Sequence, residues 1–495
     1  MAASALLTLT SGCAGLSRLT VVPRSMPFTL GIASGEPSPD GLLLWTRILP
    51  DEFDPLDLPA ADVDVRWELA EDDRFVRITH SGRVRALASE AHTVHLEITG
   101  LSADHWYYYR FHCAQYTSVT GRTRTVPEQQ GSRLKFAVAS CQHYEAGFYA
   151  AHRHLAAEAV DLIWFVGDYI YEYGPPPPEV ARLRRHDTPD CKGLNDYRRR
   201  YALYKRDPDL QSMHASAPFL PIWDDHEVDN DYAGLLSRDH HPEFAARRMA
   251  AYRAYLEHMP IRMPRMAADG SVTLYRTVDY GNLVRFHALD DRQYRDEQAC
   301  SPPGHGAGYV EMSDCAERLS PTRSMLGSVQ EKWLAQSLSG SHAKWNIVTQ
   351  QTLMAQAQLG GKVWVDGWDG YPAARTKLLS ALSHPGVANP IVVGGDVHAT
   401  YVSDLRLDPQ RDDTAIVARE FCGTSISTPS WPQTAADRLV RENPAIRYAR
   451  SDRRGYLLFE VTPKHLQVTL RALDNARNKD ANIESLIKFD VEANT

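Results

Sequence analysis

The sequence predicts an all-β sandwich up to about residue 127, followed by an α/β domain that begins near residue 133. Three observations carry this. From residue 28 to 113 the chain runs in short apolar stretches separated by Gly, Pro, Asp and Ser clusters, with no helical run between them. From residue 134 onward, nearly continuous apolar strands alternate with helical periodicity, as in β-α-β units of a sheet covered by helices. Several of those strands end in thiol, carboxylate or imidazole groups. The 495 residues, 43% hydrophobic and 23% charged, set a prior of two or three globular domains and exclude a disordered or collagenous chain. A net charge of −8 argues against a basic nucleic-acid binder. No apolar run reaches the ~18 residues of a membrane span. Seven cysteines are too few for a disulfide framework.

The elements follow in order. Residues 2–12 (AASALLTLTSG) resemble the apolar part and cleavage region of an export signal, although no basic residue precedes them. They predict a segment 1–25 that directs the protein to the periplasm or outside the cell; a plain tail is the alternative. Cys13 faintly resembles a lipid-attachment cysteine, but Thr10 stands where an aliphatic residue is expected.

The sandwich domain, 26–127, is read from FTLGIAS, GLLLWTRI, VDVRWELA, RVRALA, HTVHLEITGL and HWYYYRFHC. Its end (ITGLSADHWYYYRFHCAQYTSVTGRTRTVP) resembles the last part of a fibronectin type III module. Trp106 to Tyr109 fit alternating core and surface positions of one strand better than a sugar-binding face. Residues 126–132 (VPEQQGS) read as a linker.

In the domain 133–490, LKFAVASC, LIWFVGD, FLPIWDD, LVRFHALD, WNIVTQQ and PIVVGGD read as buried strands. FYAAHRHLAAEAV reads as a helix with Phe148, Ala151, Leu155 and Ala159 on one face. Ligands in open α/β sheets bind beyond the carboxyl ends of the strands. Residues far apart in sequence are therefore expected to converge on one sheet edge.

The candidate site comes from those ends. Asp168 follows a strand, and Tyr171 lies three residues on. A carboxylate there can bridge two cations, and a phenolate suits a trivalent Lewis acid; the bland reading is a helix cap. In WDDHEVDND (223–231), His226 sits among acids that raise its affinity for a proton, which suits a general acid. Asp396 and His398 are two apart, so on extended backbone both would face one side, and the glycines before them permit close approach of the backbone. Cys141 is a candidate thiolate ligand or a small buried hydrophobe. Cys300 and Cys315 flank a Gly/Pro-rich loop and are a candidate disulfide if the protein is exported.

Together these motifs resemble the PhoD-like alkaline phosphatases, a branch of the metallophosphoesterases. The matching segments include FTLGIASGEPSPDGLLLWTRI (28–48), FAVASCQHYEAGFYAAHRHLA (136–156), FVGDYIYEYG (165–174), IWDDHEVDNDYAG (222–234), GGDVHATYVSDL (394–405) and EFCGTSISTPS (420–430), in family order over most of the chain. The resemblance implies a fibronectin/Ig-like sandwich before a four-layer α/β/β/α metallophosphoesterase domain. It also implies one Fe3+ held by Cys141, Asp168, Tyr171 and His398, with Asp168 bridging to Ca2+. Asp168, Asp225 and Asp396 would face calcium with Asn230 nearby, and Asp229 or Asn230 are alternatives to Asp225. A metal-bound hydroxide would attack phosphorus in line and His226 would protonate the leaving alkoxide.

The expected substrates are small-molecule or lipid phosphate esters. Pocket walls, for which GYVEMSDCAERL and VWVDGWDGYPAARTK are candidates along with Trp364 and Trp368, would choose between a monoesterase and a phosphodiesterase or phospholipase D-like enzyme. An exported binding protein is the non-enzyme alternative. GTSIS and SHAK do not fit a nucleophile elbow, and no P-loop is present.

Overall fold

The computed structural model describes residues 23–50, 60–264 and 266–494. The export-like segment 2–12 and Cys13 lie outside the described residues.

The first part of the chain is all β. One sheet holds Ile32–Gly35, Gly41–Arg47 and Thr93–Thr99. The other holds Ile78–Ala86, Val63–Ala70, Trp106–Cys113, Tyr116–Thr117 and Gly121–Arg124. Their inner faces share an apolar cluster that includes Ile32, Leu44, Val65, Leu69, Tyr109 and Phe111. Along Trp106–Cys113, Tyr107 and Tyr109 are buried and Trp106 and Tyr108 half-buried, the alternation a pleated strand imposes. Arg122 lies 3.4 Å above the Trp106 ring and covers its outer face.

The six apolar runs of the second part all form strands, but in two sheets rather than one. Phe219–Ile222, Leu162–Val166 and Leu134–Ala139 pair in parallel at one side of a six-stranded sheet. That sheet continues with the antiparallel strands Gly455–Val461, His465–Leu473 and Ile483–Glu492. Val284–Ala288, Trp345–Thr349 and Pro390–Gly394 are the parallel centre of a seven-stranded sheet. An all-apolar strand has both faces buried, and the sequence pattern does not say which layer covers each face.

Packing does. Phe136, Val138 and Trp164 of the first sheet share a cluster with Phe286, Ile347, Ile391 and Val393 of the second. The Phe136 and Phe286 rings meet edge to face with centroids 5.1 Å apart. The opposite face of the first sheet (Ala137, Ile163, Phe165) packs on helices through Leu155, Tyr201 and Tyr252. Val348 and Val392 of the second sheet pack on Leu334, Leu378 and Leu439 of other helices. Period-two alternation along each strand thus sends one residue to the partner sheet and the next to helices.

The first helix is shorter than its sequence pattern, spanning Ala150–Ala157. Ala151 and Leu155 are buried, while Ala159 is exposed with φ 52°, past the helix end. Cys300 and Cys315 are joined as a disulfide.

Candidate metal centre

The site forms where strand ends of the two sheets meet. Leu134–Ala139 is followed by Cys141, Leu162–Val166 by Asp168, and Phe219–Ile222 by Asp224 and Asp225. Pro390–Gly394, from the facing sheet, is followed by Asp396 and His398.

The backbone turns sharply at each point. Cys141, Asp168, Asp396 and His398 have φ of 59°, 59°, 62° and 55°, the left-handed region that residues with a Cβ seldom occupy. Asp396 and His398 therefore share a side because of these turns, and the alternation expected of extended backbone does not apply. The glycines make room. A Cβ on Gly394 would fall 2.2 Å from the Thr352 carbonyl oxygen, and one on Gly395 2.5 Å from Ser140 Oγ. At Gly167 (φ 101°) it would fall 2.3 Å from Asp224 Cβ.

Three overlapping donor groups result among the described residues, each with its ligand atoms within 4.8 Å of one another: Cys141, Asp168 and His398; Asp168, Asp225 and His226; Asp224, Asp225 and Asp396. Tyr171 joins the first. Its Oη lies 2.8 Å from Asp168 Oδ2, 3.2 Å from His398 Nε2 and 2.9 Å from Thr428 Oγ1. Thr428 Oγ1 in turn donates to the Cys141 carbonyl at 2.8 Å. Asp229 is drawn away into an ion pair with Arg247 at 2.7 Å. Asn230 sits at the rim, where its N–H donates to Glu172 Oε1 at 2.9 Å.

The electrostatics are those of a buried anionic cluster. Burial raises Asp168 well above the usual carboxylate range, and Asp225 and Asp224 push the same way against His226. Burial likewise raises Asp396, reinforced by Asp224. Asp225 runs against its own burial: Arg292 and His226 hold it below the usual range. Burial and Asp168 together raise the Cys141 thiol. Asp168 Oδ1, Asp224 Oδ2 and Asp396 Oδ2 are buried without a hydrogen-bond partner. Buried anionic oxygens without donors are costly unless a cation completes them, so the donor set fits metal ions.

Two family descriptions match this chain. "PhoD-like phosphatase" matches residues 136–470, and "PhoD-like phosphatase, N-terminal domain" matches residues 15–127. The chain belongs to the PhoD-like phosphatase family. It is 39% identical over 478 residues to alkaline phosphatase D of Bacillus subtilis (strain 168), covering 94% of this chain and 81% of that protein. The solved structure of PhoD has a TM-score of 0.89 at 38% identity, covering 95% of this chain and 91% of that one. As a PhoD-like phosphatase the chain is a phosphoric ester hydrolase, which sets aside the binding-protein alternative.

This PhoD-like site uses residues that the motifs did not single out. His226 Nδ1 lies 2.7 Å from Glu172 Oε2. Burial alone would lower the His226 pKa, but Glu172, Asp168 and Asp225 raise it well above that of free histidine. Glu227 accepts N–H groups from Asp168 (3.1 Å), Tyr169 (2.6 Å) and Asp224 (2.8 Å), pinning two of the strand ends together. Arg292 pairs with Asp224 and with Asp366 (2.6 Å), and its Nη2 lies 3.8 Å from Asp225 and 3.7 Å from Asp396. Glu172 and Glu227 lie inside the acidic motifs and were open to notice there. Arg292 stands just past the end of the apolar run LVRFHALD, where an arginine, unlike a carboxylate or imidazole, is no candidate metal donor.

Proposed function

We propose that this phosphatase hydrolyses phosphate esters at two adjoining metal sites of different character. Asp168, shared between the set with Cys141 and His398 and the set with Asp225 and His226, is the observation that carries this reading. Cys141, Tyr171 and His398 complete one set with soft and phenolic donors suited to Fe3+. Asp224, Asp225 and Asp396 form an all-carboxylate set suited to Ca2+, and Asp225 links it to Asp168 through the set that both share with His226. Asn230 is a rim residue able to add an amide oxygen to the calcium side. When bound, such ions neutralise phosphate oxygens and make water acidic enough to act as nucleophile.

The chain's own residues do the rest. Arg292 offsets the charge of the carboxylates from behind, and Glu227 fixes the turns that present them. Glu172 holds His226 at Nδ1, so the proton given to the leaving alkoxide departs from Nε2. The same geometry places a His226 nitrogen within ligand distance of Asp168 and Asp225, so its role as acid has to be separated from a role as ligand.

Further observations bear on export, on membrane spans and on the architecture. A disulfide between Cys300 and Cys315 is what an oxidising compartment favours, in keeping with an export signal in 1–25. No helix among the described residues is long and apolar enough to cross a membrane. The shared core between the two sheets, with helices packed on their other faces, supports the four-layer α/β/β/α description of 133–490. The two small sheets facing each other support an Ig-like sandwich over 26–127.

The deciding experiment follows hydrolysis of an aryl phosphomonoester and its diester counterpart, with and without calcium, on protein whose iron content is known. Calcium-dependent turnover by iron-loaded protein is expected, and the rate ratio separates monoesterase from diesterase. Full turnover by protein stripped of both metals would overturn the reading.

A further inference from the structure

A cavity of about 280 Å³ opens beside the metal centre. Its wall includes Val397, which stands between Asp396 and His398 on the loop that supplies both groups. The rest is mainly apolar: Leu353, Trp364, Trp431 and Leu439, with the exposed Tyr309 ring at the rim. Tyr309 and Trp364 face each other across the antiparallel pair Tyr309–Glu311 and Lys362–Trp364. Tyr309 lies within electrostatic reach of both Asp396 and Asp369, and the Cys300–Cys315 disulfide closes the loop that carries it.

Among the described residues the one charged side chain of this wall is an anion, Asp369, and it is already engaged. Asp369 is paired with Arg375 at 2.8 Å and accepts the Ala357 N–H at 2.8 Å. Trp368 donates its indole N–H to Gln350 at 3.1 Å, which leaves its ring for the cavity. No cationic side chain among the described residues lines this wall to hold a phosphate group. An apolar group does: an engineered apolar cavity of about 150 Å³ binds benzene, and this one has about twice that room.

We infer that the cavity seats the apolar substituent of the phosphate ester, so that the enzyme favours esters carrying an alkyl chain of about eight carbons or a fused aromatic ring over small polar ones. The phosphate would sit at the ions that Asp396 and His398 would hold, and its substituent would run past Val397 between Trp364 and Trp431. This inference rests on the phosphoesterase reading of the metal-facing residues and adds the class of ester they meet.

The test compares methyl, butyl and octyl phosphates below their micelle concentrations, together with octylphosphonate and methylphosphonate as unreactive ligands. Octyl phosphate should exceed methyl phosphate at least about thirtyfold in kcat/KM, mostly through KM, since each buried methylene contributes a favourable increment. Octylphosphonate should change the tryptophan fluorescence of the protein and methylphosphonate should not. Ala435→Phe, which fills the cavity from its helix side, should collapse the octyl-to-methyl ratio.

Equal kcat/KM across the wild-type series would overturn the pocket assignment while leaving the phosphoesterase reading intact. The same holds for a preference that survives in a folded Ala435→Phe. No hydrolysis of any alkyl or aryl phosphate by metal-loaded protein would overturn both. The wild-type series decides even if the variant fails to fold.

Discussion

At the residue scale, the proposed chemistry divides between groups that would face a cation and one that would handle a proton. His226 is held by Glu172 rather than by a backbone group, so its proton affinity depends on a carboxylate 54 positions away in sequence. His226→Ala should slow alkyl phosphates by about 10²–10⁴-fold and aryl phosphates, whose leaving groups need little protonation, by far less. Equal losses on both, accompanied by loss of bound metal, would make His226 a ligand instead. Asp168→Ala should abolish activity and remove both metals together, read by elemental analysis of the purified variant. Retained iron with full turnover would refute the shared-carboxylate site. Cys141, Asp168, Tyr171, Asp225, His226, Asp396 and His398 were legible because each closely follows an apolar strand, and that signal is local. Arg292 also follows an apolar strand, Val284–Ala288, at the same distance as His226 and His398 follow theirs, but an arginine is no metal donor, so its role shows only in the packed structure.

At the scale of elements, strand identity was legible and strand partnership was not. A fully apolar strand satisfies a helix layer and a sheet layer equally well, so LKFAVASC and WNIVTQQ look alike although they belong to different sheets. The C-terminal strands were also missed. Ile483–Glu492 is an edge strand in which half-buried Ile487, Phe489 and Val491 alternate with exposed residues and pack on the shared core, a short pattern that was not singled out. The Cys300–Cys315 disulfide spans a separation of 15 residues. Closing a loop of that size stabilises a fold by about 3 kcal/mol in the chain-entropy model. Cys315→Ser should therefore lower the stability of the second domain by up to that amount in a reversible denaturant titration. An unchanged midpoint would mean that the loop is held by its other contacts alone.

At the scale of the whole molecule, the two domains meet over a buried amine. Lys205 of the phosphatase domain lies 4.2 Å above the Trp45 ring of the sandwich and 5.2 Å from Tyr169. Its ammonium is buried with no hydrogen-bond partner among the described residues. Burial lowers its pKa from 10.5 to about 7. Between those values the unfolded chain binds the proton and the folded chain does not. The unfolded state therefore holds more protons, and this group's contribution to stability grows as pH rises from about 7 toward 10. Thermal melts of the wild type should show that gain relative to Lys205→Met. The variant should also be the more stable protein at neutral pH, because it buries no ammonium. Parallel pH profiles for the two would refute the assignment.

The centre draws on strand ends from both sheets, and this bears on how the protein is made. Cys141, Asp168, Asp224 and Asp225 leave the ribosome well before Asp396 and His398, and the first sheet itself is completed by strands near the end of the chain. A half-synthesised molecule therefore owns a thiol and several carboxylates with no partner to arrange them. Any cation captured then would meet an unfinished set, because Asp396 and His398 join it only when the last third of the polypeptide has docked. On the proposed reading, correct metallation is in this sense a late step of biosynthesis that waits for Asp396 and His398.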